Sequence, residues 1–226
     1  MEKENQNSQE DVKTIKAKER LLKVALNNFA EYGYEGASIR DITKQAHVNI
    51  SAISYYFKDK EGLYQASIDL LSKKIQTELM IYVLKANETF EKNDLSLEEQ
   101  KEIIYDFWRR FIRFFLTESS YSKLLLREQI ETSPSFEKFY KTTLNPLRLN
   151  LGKLLAKVNK MPFPSEQATL CANTIGGMLT MFSNYPKTVL LRLGWEKFGD
   201  EEIEKITEMF IHHLDCIIDS YNKPEK

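Results

Sequence analysis

Residues 41–64 of this chain read DITKQAHVNISAISYYFKDKEGLY, and with the three residues before them they decide the fold. From residue 38 to 45 apolar side chains recur at the spacing of one helix face, which predicts a short helix. A break at residues 47–49 and a second short helix over residues 50–57 follow. Two short helices joined by a tight turn form a helix-turn-helix, whose second helix enters the major groove of DNA.

The rest of the chain carries helical patterns only. A first helix is predicted from about residue 13 to 32, where Gly33 and Gly36 end it. Further helices are predicted over residues 60–85, 97–117, 119–131, 134–158, 165–185 and 200–221. Since no segment alternates as a strand does, the predicted class is all-α. It has about nine helices: a three-helix head at the N-terminus and five or six in a C-terminal body.

Charge divides the chain in the same way. Residues 12–60 hold nine Lys or Arg against five Asp or Glu, while the net charge of the whole chain is −1. A basic segment on an acidic chain fits a head that meets DNA and a body that does not. The predicted domains are a disordered tail at 1–11, a DNA-binding domain at 12–59 and a ligand-binding and dimerisation domain at 60–226.

Several function classes are disfavoured. Two cysteines do not make a disulfide framework, and no leader or long apolar run is present, so a soluble cytoplasmic protein is expected. The chain has no Glu-x-x-His pair for a di-iron site, no glycine-rich phosphate loop and no nucleophile elbow. No enzyme activity, cofactor or metal is therefore predicted.

The motif also resembles a known family. The residues Ser38-Ile39, Ile42, Val48, Ile53, Tyr56-Phe57 and Lys60-Glu61-x-Leu63 resemble the DNA-binding domain of the TetR family of bacterial transcriptional regulators. Thr43 and His47 depart from that pattern, which commonly has Ala and Gly there, and His tolerates a positive φ better than most residues. Residues 120–218 are similar to the CecR-type C-terminal domain, through Arg127-Glu128-Gln129, Pro134-x-Phe136, Pro146-Leu147 and Leu193-Gly194-Trp195.

The resemblance implies a set of DNA contacts. The second helix would present Asn49, Ile50, Ser51, Ala52, Ser54 and Tyr55, with the two serines bonding to bases or phosphates and Ile50 and Ala52 meeting thymine methyl groups. Arg40 would reach a guanine, and Ser38, Tyr56 and Lys60 would hold phosphates. Core packing is the alternative for Tyr55 and Tyr56.

A palindromic operator read by two such helices implies a homodimer, with the two C-terminal helices as the expected interface. Ile203, Ile206, Phe210, Leu214 and Ile217 are expected to line that interface together with residues of the preceding helix. Aromatic and Met side chains in the body suggest a cavity for a small-molecule effector. The candidate contacts are Tyr105, Trp108, Phe111, Phe115, Arg127, Asn173, Met178 and Met181, and plain core is the alternative for each.

The predicted function is a ligand-responsive regulator that binds double-stranded DNA and no membrane. It would be a repressor, released from its operator when a small apolar molecule binds the body. The alternative is a helical module that binds a small molecule or a protein and has no DNA function.

Overall fold

The computed structural model describes residues 2–92, 94–131, 133 and 135–223, with the side chains of residues 2–13 left aside. Within these ranges every regular element is a helix, which confirms the all-α class. Of the predicted disordered tail, residues 1–11, Met1 lies outside the described part and the backbone of residues 2–11 is helical, while the disorder of this tail in solution stays a prediction. None of the described helices is both long enough and apolar enough to cross a bilayer.

The described residues form eleven helices where about nine were predicted. Nine are α1 (Glu2–Gly36), α2 (Ile39–Gln45), α3 (Ser51–Phe57), α5 (Leu97–Thr117), α6 (Ser119–Glu131), α8 (Glu166–Gly177), α9 (Thr180–Asn184), α10 (Pro186–Leu193) and α11 (Asp200–Asn222). The other two each contain a π turn. Helix α4 comprises Lys60–Ile75, the π turn Gln76–Met80 and Ile81–Lys92, and α7 comprises Phe136–Phe139, the π turn Tyr140–Leu144 and Asn145–Val158.

One of the extra helices arises where a single helix was predicted over residues 165–185, and the other, Pro186–Leu193, follows that stretch, where no helix was predicted. The α-helix stops at Gly177, and α9 and α10 follow as two short pieces. Two consecutive glycines each cost about 1 kcal/mol of helix propensity relative to Ala, and a Cβ at either would meet no atom within 4 Å. Packing therefore gives no compensation at these glycines, and the helix breaks after them.

Two compact units divide the chain, and residues 123–139 belong to the first one. That unit comprises Met1–Ser72 and Lys123–Phe139. Its apolar core includes Leu21, Ala25, Leu26, Phe29, Ile42, Ile53, Phe57 and Leu63, all buried. The α-helical path of α1 is interrupted at Gly33 (φ 73°, ψ 179°), as predicted, and Arg127 on α6 donates to the carbonyls of Ala30 (2.8 Å) and Glu31 (2.6 Å) just before this break.

The second unit comprises Lys73–Ser122 and Tyr140–Lys226, and within it α11 packs against α5 and α7 packs against α4 and α8. Trp108 on α5 is fully buried, with its ring centroid 4.8 Å from that of Phe210 on α11. Ile203, Ile206, Phe210 and Leu214 are all buried in this way, so they belong to the core of the protomer. Their periodicity had predicted them at a dimer interface, because periodicity alone does not distinguish a subunit interface from the core of a protomer.

Candidate nucleic-acid interface

Helix α2 begins with a side-chain cap. The hydroxyl of Ser38 accepts a hydrogen bond from the backbone N–H of Asp41 (3.3 Å), which satisfies one of the unpaired amides of the first turn. Arg40 stands in that turn and is exposed. Thr43 is buried, and its hydroxyl donates to the carbonyl of Ile39 (2.9 Å). The Thr that departs from the family pattern is therefore accommodated without an unsatisfied polar group.

The turn after α2 has the backbone that its sequence predicts. His47 has a φ of 53°, in the left-handed region. The N–H of Val48 donates to the carbonyl of Thr43 (3.1 Å) and that of His47 to Lys44 (3.1 Å), which is how helices ending in a left-handed residue satisfy their last carbonyls. Gly would adopt this φ at less cost, but His maintains the same turn.

Helix α3 buries one face and exposes the other. Ile53 and Phe57 are buried in the first unit. The opposite side exposes Ile50, Ser51, Ser54 and Tyr55, while Ala52 and Tyr56 are half-buried beside them. The side-chain oxygen of Asn49 accepts hydrogen bonds from the N–H and hydroxyl of Ser51, both at 3.0 Å. The side-chain oxygen of Asn49 thus satisfies the N–H of the first residue of α3, and its amide nitrogen stays available as a donor.

The two tyrosines of α3 differ in environment. Tyr55 is 77% exposed, which rules out core packing for its ring within the described chain. The ring of Tyr56 lies edge-on to it, with centroids 4.8 Å apart, and also contacts Phe57 at 6.2 Å. Tyr56 is therefore held between the core and the exposed face, with its position fixed by its neighbours.

The junction of α3 and α4 is tightly constrained. Lys58 has a φ of 75°, and the carboxylate of Asp59 accepts from the N–H of Gly62 at 2.8 Å to cap α4. A Cβ on Gly62 would lie 1.9 Å from the carbonyl oxygen of Phe57, so only glycine fits. The ammonium of Lys60 donates to the carbonyl of Glu35 (3.3 Å) and lies 4.9 Å from the ring centroid of Tyr34. Helical periodicity gives no signal for Gly62, because the close approach depends on the conformation of the turn between α3 and α4.

The residues predicted to bind an effector do not all share one environment. Tyr105, Trp108, Phe111 and Phe115 follow one another on α5, with ring centroids 5.0 Å apart for Trp108 and Phe111 and 4.6 Å apart for Phe111 and Phe115. Met178 is half-buried after α8, while Asn173 and Met181 are exposed. Arg127 lies in the first unit, where it also donates to Glu131 at 2.5 Å.

The aromatic cluster of α5, formed by Tyr105, Trp108, Phe111 and Phe115, contains one polar atom with an unusual environment. The indole Nε1 of Trp108 is buried, and within the described ranges no residue accepts a hydrogen bond from it. Most buried donors in proteins have a partner, so an orphan N–H calls for an explanation. The neighbouring Tyr105 differs, because its hydroxyl donates to Asp215 at 2.5 Å. Burial and this hydrogen bond raise the pKa of Tyr105.

A separate cavity of about 500 Å³ lies between α5 and α11, and its lining is mostly charged. Lys101 is buried beside it and bonds to Asp215 (2.7 Å) and Asp219 (2.6 Å). Burial lowers the pKa of Lys101, but these two hydrogen bonds outweigh it and the net change is upward. Of the predicted effector contacts only Tyr105 lines this cavity. No sequence pattern predicts the cavity, because its walls come from residues about a hundred positions apart.

Comparisons with known proteins agree with this geometry. Residues 21–67 match the family of bacterial regulatory proteins called the tetR family, and residues 100–220 match the C-terminal domain of the HTH-type transcriptional dual regulator CecR. The chain is 29% identical over 209 residues to CecR of Shigella flexneri, covering 92% of this chain and 93% of that protein.

Two further proteins are similar over part or most of the chain. IcaR of Staphylococcus aureus (strain Newman), a negative regulator of the biofilm operon icaADBC, is 25% identical over 99 residues, covering 44% of this chain and 52% of IcaR. The crystal structure of AibR in complex with isovaleryl coenzyme A and operator DNA superposes with a TM-score of 0.62. It is 15% identical and covers 86% of this chain and 96% of AibR, a likeness that shows the fold alone.

Proposed function

This chain belongs to the TetR family of bacterial transcriptional regulators, with a CecR-type C-terminal domain, and from that premise we propose that it is a ligand-responsive repressor. DNA-binding transcriptional regulation follows from the family, whose members here are regulators and not enzymes. The repressor role, the palindromic operator, the dimer and the effector are the proposed parts. IcaR, a negative regulator by name, supports the sign of the regulation.

The observation that carries the proposal is the exposed face of α3. A helix of seven residues, fixed from behind by Ile53 and Phe57, presents two hydroxyls and a phenol to the outside, with the isoleucine side chain just before it also exposed. Hydroxyl groups bond to base edges and phosphates, and aliphatic side chains meet the thymine methyl group in the major groove. Arg40 on α2 adds a planar donor suited to guanine. Because this target is DNA, we place the protein in the cytoplasm.

A homodimer would bring two copies of α3 to successive half-sites. Helices α8 to α11 expose apolar side chains that a second copy would cover: Leu170 (59% exposed), Met181 (47%), Leu191 (84%) and Met209 (57%). Apolar groups clustered on the last helices, outside the core, are typical of an interface between subunits. The interface proposed here therefore uses these side chains in place of the buried ones that the sequence pattern had suggested.

The effector we propose is a small apolar molecule with one hydrogen-bond acceptor. It would bind at the aromatic cluster of α5, where the acceptor would satisfy the orphan N–H of Trp108. AibR, whose structure holds both a small molecule and operator DNA, is similar in fold and supports a ligand-responsive mode. Such a ligand must bind the released state more tightly than the DNA-bound state, or it shifts nothing.

Binding of fluorescent duplex DNA at several salt concentrations tests the function against the alternative of a helical module without DNA function. A groove-binding dimer should lose affinity steeply as salt rises, because counterions released from the phosphates return. An unchanged anisotropy of the labelled duplex even at low salt would leave only the alternative of a helical module without DNA function.

A second experiment tests the release mechanism. Compounds that raise the melting temperature of the protein would be added to the protein–DNA complex. A ligand that binds but leaves operator affinity unchanged would refute the release mechanism.

A further inference from the structure

The end of α2 needs a hydrogen-bond donor from outside the helix-turn-helix. The turn closes through Val48 to Thr43 and His47 to Lys44, and neither bond uses the carbonyl of Ala46. Ala46 is fully buried. It is also the residue that follows the last residue of α2 and precedes the left-handed His47, so its carbonyl lies where the chain changes direction toward α3.

Helix α1 supplies that donor through Arg20. Its Nε donates to the carbonyl oxygen of Ala46 at 2.6 Å, across 26 positions of sequence. The bond is charge-assisted and acts at the C-terminus of a helix, where a cation is favoured by the helix dipole. The Nε–H of Arg20 is therefore directed at the main chain of the turn.

A second residue of α1 holds the same end of α2. The side-chain amide of Asn28, itself buried, donates to the side-chain oxygen of Gln45 at 3.0 Å and to the carbonyl of Val24 at 2.9 Å. Arg20 and Asn28 lie eight residues apart, which places both on one side of α1. Only four residues separate Ala46 from Ser51, the first residue of α3, so fixing this carbonyl also limits where α3 can begin.

We propose that Arg20 is a positioning residue for sequence-specific DNA recognition, which holds the turn before α3 through its Nε–H and does not serve mainly to neutralise a phosphate. The inference rests on the proposed DNA-binding function. An exposed cation in such a head would ordinarily be assigned to the phosphate backbone. The contact with Ala46 favours the positioning role, because that role needs a donor at the position of Nε and does not need the charge.

Two substitutions separate the donor from the charge. Arg20→Gln removes the charge but keeps an N–H donor, since the amide nitrogen of Gln stands as many bonds from the main chain as Nε of Arg. Arg20→Met removes both and keeps the length of the side chain. Lys23→Gln, an exposed cation on the same helix, calibrates the loss of one charge. Each variant is titrated at several salt concentrations against the duplex that wild-type protein selects from a random pool, and against a scrambled duplex.

The positioning role predicts that Arg20→Met loses about tenfold in affinity for the selected duplex, with little change on the scrambled one. The affinity of Arg20→Gln for the selected duplex should stay within about threefold of that of Lys23→Gln. The slope of its log affinity against log salt concentration should equal that of wild type. Equal losses for both Arg20 variants, with a slope reduced by about one, would assign Arg20 to a phosphate and overturn the proposal.

Unchanged selectivity in Arg20→Met would also overturn the proposal. If Arg20→Met does not fold, Arg20→Gln decides. If Arg20→Gln has the salt slope and the selectivity of wild type, the positioning role is supported, and a salt slope reduced by about one refutes it. A wild-type protein that selects no duplex marks the failure of the proposed function, and this is seen before any variant is compared.

Discussion

At the scale of single residues, the first unit contains side chains that face outward and side chains that hold the structure, and the same residue type serves both. Tyr55 is 77% exposed on α3, whereas Tyr64 on α4 is 2% exposed and donates to the buried carboxylate of Glu128. The hydroxyl of Ser133 donates to the other oxygen of Glu128 at 2.8 Å. The exposure of Tyr55 supports its proposed role in recognition, whereas the hydrogen bond of Tyr64 stabilises the first unit.

Arg40 and Lys60 should separate base recognition from phosphate contact. Arg40 is exposed in the first turn of α2, so we expect Arg40→Ala to weaken binding to the selected duplex about tenfold and to a scrambled duplex much less. Lys60→Ala should weaken both to a similar degree and reduce the salt slope by about one. Anisotropy titrations at several salt concentrations measure both effects. If Lys60→Ala weakened specific binding alone and Arg40→Ala weakened binding to both duplexes, Lys60 would be the base contact and Arg40 the phosphate contact.

Tyr64→Phe should destabilise the first unit by about 1.5–3 kcal/mol, because a fully buried carboxylate loses one of its two hydroxyl donors. Urea denaturation measures this loss, and Tyr32→Phe, at 60% exposure, is the control that should change stability by less than about 0.5 kcal/mol. An equal effect of the two substitutions would contradict the role of Glu128.

The same tyrosine predicts a pH dependence. Burial and the hydrogen bond to Glu128 hold the pKa of Tyr64 well above its ordinary value of 10.0. The folded state then retains a proton that the unfolded state loses, so this contribution to stability is complete below pH 10.0 and decreases as the pH rises above it. Tyr64→Phe should make the alkaline decline in melting temperature less steep. A variant with the same alkaline decline as wild type would show that Tyr64 does not titrate in this way.

At the scale of elements, the α3–α4 junction shows how the conformation of one turn decides what helical periodicity does not. The sequence predicted both helices and the break between them from periodicity. It did not predict the left-handed Lys58 or the approach of Phe57 to Gly62. Pro146, inside the helix predicted over residues 134–158, lies in the first turn of the α-helical part of α7, directly after a π turn. Its missing N–H is harmless there.

Gly62→Ala should destabilise the protein by about 1–3 kcal/mol and reduce specific DNA binding, because the added methyl group would force α3 and α4 apart. Gly36→Ala is the matched control, since its Cβ would be 3.4 Å from that of Tyr32 and its φ is not left-handed. We expect that control to retain stability and affinity. Thermal unfolding and duplex titration check both variants, and a stable Gly62→Ala with wild-type binding would be inconsistent with the packing described.

At the scale of the whole molecule, the sequence was sufficient for the helical class and the helix-turn-helix, because both follow from spacing along one chain. It was insufficient wherever distant residues meet. Residues 123–139 were assigned to the body by position, yet Tyr64, Glu128 and Arg127 connect them to helices α1 and α4 of the first unit. An amphipathic helix such as α11 could bury its apolar stripe in the core of the protomer or in a subunit interface. Only its packing on α5 shows that the stripe belongs to the core.

The proposed dimer can be tested at its exposed apolar side chains. Leu170→Glu combined with Met209→Glu should convert the protein to monomers at micromolar concentration, because two charges would be buried without partners. Ile81→Glu, on a side chain that is 59% exposed in α4, should leave the dimer intact. Light scattering coupled to size exclusion measures the mass. If the double variant remained a dimer, the interface would have to lie on another surface of the protein.

The central claim is that the exposed face of α3 reads a DNA sequence. Selection of duplexes from a random pool, with wild-type protein and with Ser51→Ala/Ser54→Ala in parallel, tests it most directly. We expect wild type to enrich an inverted repeat with half-sites about one helical turn apart. The variant should keep that spacing but change base preference within the half-sites. No enriched motif with wild type, or an identical motif with both proteins, would contradict the claim.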